Sequence, residues 1–153
     1  IRVESMQTAF SLLHLEHLET GLASVCLEKK MAQLFSVPLS GSHGASRRGV
    51  LAGTTTLSHS DWQEQREQGV IAQVSAFAEA YGLTVVQTAL ACLMHLPGGA
   101  IPLVGTTNPE HVAEAVRATE VELDRDDWYE LLVIARGRPM PWNQRLWVYL
   151  KDH

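Results

Sequence analysis

Apolar residues along this chain fall into short continuous runs and longer helically spaced stripes. Residues 7–13 (Gln-Thr-Ala-Phe-Ser-Leu-Leu) form a short, largely apolar run of strand length. After His14-Leu15-Glu16-His17-Leu18-Glu19 and Thr20-Gly21, Leu22, Val25, Cys26 and Leu27 recur near helical spacing. Lys29 and Lys30 then place positive charge where a helix C-terminus favours it. Residues 33–37 form a second apolar run, closed by Pro38. Residues 40–60 are dense in Ser, Gly and Thr, and a segment of about 20 residues has the length of a functional or mobile loop.

Asp61 and Glu64 have capping-box spacing at the head of a helix predicted over 62–81. Its stripe is Val70, Ile71, Val74, Phe77 and Ala78, and Gly82 stops it. Thr84 caps a further helix to Leu96 that is apolar nearly all round and therefore buried. Pro97-Gly98-Gly99 breaks the chain. Residues 100–104 (Ala-Ile-Pro-Leu-Val) form a third strand, and Gly105-Thr106-Thr107-Asn108 a loop. Pro109 then suits the first turn of a helix ending near Ala118. Asp124 caps a last helix to Arg136, ended by Gly137-Arg138-Pro139. The order of strands and helices predicts an α/β fold with parallel strands, and three strands are too few to close a barrel.

Composition narrows the function classes. The chain has 153 residues, 46% hydrophobic and 19% charged, as one soluble globular domain would. Its 12 basic and 17 acidic residues give a net charge of −5, which argues against a nucleic-acid or anionic-membrane surface. Cys26 and Cys92 have no metal-type spacing and read as reduced thiols, so a cytoplasmic location is expected. The longest apolar run, 85–96, is too short and too polar to span a bilayer. Ile1-Arg2-Val3-Glu4 is not a signal peptide, and the absence of an initiator Met is what a cut or processed chain would show.

The motifs then acquire a family resemblance. Phe10-Ser11-Leu12-Leu13-His14-Leu15-Glu16, Pro38-Leu39 and Ile101-Pro102-Leu103-Val104-Gly105-Thr106-Thr107-Asn108-Pro109-Glu110 occur in that order. Val121-Glu122-Leu123-Asp124, Trp128-Tyr129-Glu130-Leu131 and Ala135-Arg136-Gly137-Arg138-Pro139 follow. Together they resemble the C-terminal part of a bacterial aldo-keto reductase. Residues 1–141 form the resembling segment and 142–153 a tail beyond it. The resemblance implies a partial TIM (β/α)8 barrel, the last three β/α units plus a C-terminal helix, where a complete barrel takes about 250 residues.

It also implies carbonyl reduction with NADPH, by an Asp, Tyr, Lys and His carried on the first four strands. That region has no counterpart here, and the lysines are Lys29, Lys30 and Lys151 alone. No catalytic residue is therefore assigned. On the cofactor side, Gln7 matches the nicotinamide-amide ligand, although Met6 replaces the usual preceding Asn. Phe35 and Ser36 match the ring-stacking and pyrophosphate positions if Val37 is an insertion; otherwise Ser36 and Val37 align and both contacts are lost. Leu39 belongs to the same motif. Gly105, Thr106 and Thr107 match the adenosine-phosphate loop. Asn108 and His111 replace the cations that would hold a 2′-phosphate, and Glu114 matches the adenine contact. NADP or NAD binding is expected to be weak or lost.

The expected function is thus an aldo-keto reductase-like protein that keeps part of the dinucleotide-binding half without reductase activity of its own. One alternative is a reductase completed by another chain, and another is a stand-alone nucleotide-binding or structural module. Unpaired strand edges predict a homo-oligomer, with the tail at 142–153 as one contact element. Phe10 and Leu12, as interior residues of the opened barrel, are expected to meet water unless covered. His14 and His17 read as a solvated strand exit rather than a metal pair. His43 and His59 read as surface residues, His95 as a capping or half-buried residue, and Trp128 and Tyr129 as packing residues. No metal is expected.

Overall fold

A computed structural model describes residues 2–40 and 61–138. Its sheet is built from β1 (Ser5–Ala9), β2 (Ala32–Ser36) and β3 (Ala100–Pro102), in the order β1-β2-β3 and parallel throughout. Between β1 and β2 run α1 (Glu16–Glu19) and α2 (Leu22–Lys29). Between β2 and β3 run α3 (Asp61–Ala80) and α4 (Val85–Met94). After β3 come α5 (Pro109–Arg117), a 3-10 turn (Ala118–Glu120) and α6 (Arg125–Arg136). The α/β class with parallel strands is therefore present as read.

Local chemistry sets the helix ends. Gly82, at φ +66°, lets the chain turn so that Leu83 N–H reaches the Ala78 carbonyl and Gly82 N–H the Glu79 carbonyl. These are the two bonds of a Schellman stop. Thr84 and Gln87 form a reciprocal capping box at α4, and Asp124 caps α6 through Asp127 N–H at 2.8 Å. The side chains of Asp61 and Glu64, the loop at 41–60 with His43 and His59, and the tail at 142–153 lie outside the described residues.

The two faces of the sheet differ. Met6, Thr8, Gln33, Phe35, Ala100 and Pro102 share one face by register, and all are half-buried or buried under helices. Gln7, Leu34 and Ile101 line up on the other face, where Ile101 is 49% exposed. The core fills the space between sheet and helices. It joins Phe10, Leu12 and Phe35 to Val74 and Phe77 of α3, Leu93 of α4, and Leu131 and Leu132 of α6.

Two strand expectations need correction. The first strand begins at Ser5 and ends at Ala9, and Phe10 and Leu12 are buried rather than turned to water. The reason is a tight turn: Ser11 and His14 exchange backbone hydrogen bonds at 3.2 and 3.0 Å, folding Phe10, Leu12 and Leu13 down into the core. The third strand ends at Pro102, two residues early, and Leu103 and Val104 are exposed. Pro102 closes this edge strand with a residue that has no N–H to offer a further strand.

Candidate dinucleotide site

The C-terminal ends of β2 and β3 are neighbours. Phe35 pairs with Pro102, and Leu103 N–H donates to the Phe35 carbonyl at 2.8 Å. The segment 36–40 and the segment 103–111 therefore leave the sheet side by side, which brings two of the sequence-derived groups to one end of it. Ser36 lies on the bare face, in register with Ala9 two residues beyond Gln7, and its hydroxyl donates to the Thr8 carbonyl. Leu39 packs on the core rather than outward.

Phe35 takes a different place. It is on the helix-covered face, fully buried, with Phe10 at 4.7 Å and His17 at 4.9 Å between ring centroids. Neither face of its ring is open to a nicotinamide. Val37, the other candidate at this strand end, adopts φ +50°, a left-handed conformation that costs a β-branched residue about 1–2 kcal/mol. Ser40 N–H donates to the Val37 carbonyl at 2.9 Å, and Ser40 hydrogen-bonds Ser11 through their hydroxyls.

The loop after β3 is organised by its own side chains. Asn108 is the N-cap of α5, its side-chain oxygen accepting from Glu110 N–H at 3.0 Å. Thr106 Oγ1 accepts from Asn108 N–H at 3.2 Å and lies 3.5 Å from His111 Nδ1. Thr106, Asn108 and His111 therefore form one cluster at the helix start. Helix N-termini attract anions through unpaired amides. Here Pro109 has no amide proton, and the Asn108 side chain already satisfies Glu110. Gly105 and Thr107 are exposed beside the cluster, whereas Glu114 is half-buried one turn on. The fit to a phosphorylated dinucleotide is partial. Loop amides and a hydroxyl are present, but positions 108 and 111 carry no fixed cation and Phe35 cannot stack.

Lys29 and Lys30 end α2, just before β2 begins, at the sheet end opposite this loop. They cannot act at the C-terminal ends of the strands.

Two features escaped the sequence reading. The first is a buried polar link. His17 is 1% exposed and donates Nε2–H to Gln33 Oε1 at 2.6 Å, while Gln33 Nε2 donates to the Pro97 carbonyl at 2.8 Å. The solvated strand exit thus holds for His14, which is exposed, and fails for His17, which α1 turns inward. Gly98, at φ +96°, closes this link, since a Cβ there would sit 3.1 Å from Gln33 Nε2. The second is a cavity of about 400 Å3 lined by His14, Glu16, Glu19, Arg66, Arg136 and Arg138 among others. Three of its charged side chains have partners on the protein. Arg136 pairs with Glu19 at 3.1 Å, and Arg66 donates to the Ala135 carbonyl.

Of the remaining side chains, Trp128 packs on the core and donates its indole N–H to the Cys92 carbonyl at 2.9 Å. His95 is the C-cap residue of α4 and is exposed, with its ring against Trp128. Burial pushes the Cys92 thiol up to about 12. No single helix among the described residues is long and apolar enough to cross a membrane.

Comparison with known proteins agrees with this architecture. The sequence model of the Aldo/keto reductase family matches residues 1–135. A 6-dehydroglucose reductase of Novosphingobium aromaticivorans is 35% identical over 79 residues, covering 52% of this chain and 26% of that protein. A 6-dehydroglucose reductase of Agrobacterium fabrum is 26% identical over 90% of this chain and 40% of its own. A crystal structure of the thermostable aldo-keto reductase Tm1743 with the inhibitor epalrestat is similar in fold. Its TM-score is 0.59 at 24% identity, over 84% of this chain and 38% of that one. The chain thus spans 40% or less of the length of these relatives.

Proposed function

Because the chain belongs to the aldo/keto reductase family, we propose that it is the dinucleotide-side segment of such a reductase, a partial (β/α)8 barrel that turns over no carbonyl by itself. The observation that carries this reading is the pairing of β2 with β3. It makes the ends of the two strands neighbours, so that the segments carrying Ser36 and the Gly105–Thr107 loop leave the same end of the sheet, while Lys29 and Lys30 sit at the opposite end. Carbonyl reduction needs a positioned proton donor as well as a hydride source. The described residues offer the strand ends no Tyr–Lys pair.

What the chain's own residues do is hold an anionic ligand loosely. Thr106 and Thr107 present hydroxyls and amides, and Asn108 shapes the helix start. A bound nicotinamide dinucleotide would supply the hydride. Losing a fixed guanidinium removes the bidentate contact by which a 2′-phosphate is recognised, and the neutral Asn108 and His111 do not restore it. The ligand is therefore bound weakly and with little preference between NADPH and NADH.

Calorimetric titration of both cofactors, with an NADPH-oxidation assay on simple aldehydes and ketones, tests this. Dissociation constants within about threefold of one another and no turnover above buffer are expected. A tenfold preference for NADPH, about 1.4 kcal/mol, would overturn the cofactor part. Turnover abolished by substitution of a residue of this chain would overturn the rest. Reductase activity would appear where the remaining β/α units complete the barrel, on this polypeptide or on another.

A further inference from the structure

The cavity beside α1 is walled by three segments of this chain: residues 13–19, the first half of α3 and the end of α6. These segments pack on one another, since Leu13, Leu15, Val70 and Ala135 share the core. None of the residues of the candidate dinucleotide site lines it. Its walls are joined by their own polar groups. Arg136 of α6 pairs with Glu19 of α1 at 3.1 Å, and Arg66 of α3 donates to the Ala135 carbonyl at 3.1 Å. That carbonyl is among the last four of α6, where the helix dipole leaves partial negative charge, so the charge of Arg66 is offset as well.

Two charges of opposite sign are left over. Glu16 lies on α1, three residues before Glu19, and Arg138 lies two residues beyond the end of α6. Both are exposed, and both line the cavity. Among the described residues neither forms an ion pair, with the other or with a third group. They face a shared space of about 400 Å3, within the range of small-molecule pockets, and Leu13 and Leu15 supply its apolar lining. A plain anion in this space is attracted by Arg138 and opposed by Glu16, and for a plain cation the signs reverse. A ligand with a carboxylate at one end and an ammonium at the other satisfies both.

We propose that this cavity binds a small zwitterion, an amino acid or related amino carboxylate, with its carboxylate on Arg138 and its ammonium on Glu16. The planar guanidinium is suited to hold both carboxylate oxygens at once. The two charges are solvent-exposed, so each contact is weak and dissociation constants on the order of millimolar are expected.

Heteronuclear NMR titration of the full chain tests this, with glycine, β-alanine, γ-aminobutyrate, butyrate and butylamine as probes at matched ionic strength. At least one zwitterion should give saturable shifts at residues 14–19 and 136–138. Butyrate and butylamine should bind at least about tenfold more weakly. Charge reversal gives the sharper readout. Glu16→Arg alone and Arg138→Glu alone should each abolish zwitterion binding. The double variant should restore it, because the ligand then binds turned end for end. Arg117→Gln, on α5 and outside the cavity, should leave binding unchanged. Thermal melts on every variant separate lost binding from lost folding. A parent without saturable shifts overturns the proposal, whatever fills the cavity instead. So does butyrate binding as tightly as the zwitterions, binding that survives both single reversals, or a folded double variant that does not bind.

Discussion

His17 and His14 are three residues apart and have opposite environments. Replacing His14, which is exposed, with Ala should change stability by no more than about 0.5 kcal/mol. His17→Leu removes the donor to a fully buried Gln33 oxygen and leaves it unsatisfied, which costs about 1–3 kcal/mol. Chemical denaturation of both variants checks this, and equal effects would sink the account. Nothing in the local sequence distinguishes the two histidines, because His-x-x-His reads alike for a solvated exit and for a turn of helix with one side inward. The deciding partners, Gln33 and Pro97, are 16 and 80 residues away from His17. Phe35 was misplaced for a related reason. Alternation shows that two faces exist in a strand, but only the helices packed on one of them determine which is buried.

At the level of elements, caps and stops were the most legible features. Thr84, Asp124, Gly82 and Gly137 act within one turn of their own positions, so four-residue patterns suffice to find them. Strand ends were less legible, because the Ser11–His14 turn continues an apolar run in a different conformation. Contacts between elements also set the alkaline limit of the fold. The Tyr81 hydroxyl at the end of α3 donates to Asp127 of α6, and this bond first, then desolvation and nearby carboxylates, raises its pKa to about 12. Cys92, buried in α4, reaches about the same value through burial alone. Both groups ionise more readily in the unfolded chain, near 9 for the thiol and 10 for the phenol. The stability they contribute is complete below pH 9 and is lost as pH rises toward 12. Thermal melts at pH 8 and pH 10.5 should show a drop that is smaller in Cys92→Ala and in Tyr81→Phe. A drop of equal size in the parent and both variants would refute the assignment.

Across the whole molecule, three parallel strands with helices on one side were readable from the order of periodic segments. An uncovered inner face was expected too, but with Phe10 and Leu12 on it. The residues in register on that face are Gln7, Leu34 and Ile101, because the chain leaves the strand at Ala9 and folds Phe10 and Leu12 into the core. The same sheet has a consequence for amide hydrogen exchange. In a parallel sheet each residue directs its N–H and C=O to one side, and successive residues alternate. Ala32 N–H points to β1 (its acceptor is the Glu4 carbonyl), and Gln33 N–H points to β3, where it reaches the Gly99 carbonyl. Every β2 amide is therefore covered, from one side or the other. In the outer strands only every second amide is. Met6, Thr8, Ile101 and Leu103 should exchange slowly with all of β2, while Ser5, Gln7, Ala9 and Ala100 should exchange near the rate of an open chain. A period of two in the protection of β1 is the signature to look for by NMR. Uniform slow exchange along β1 would mean that another strand lies against its outer edge in solution.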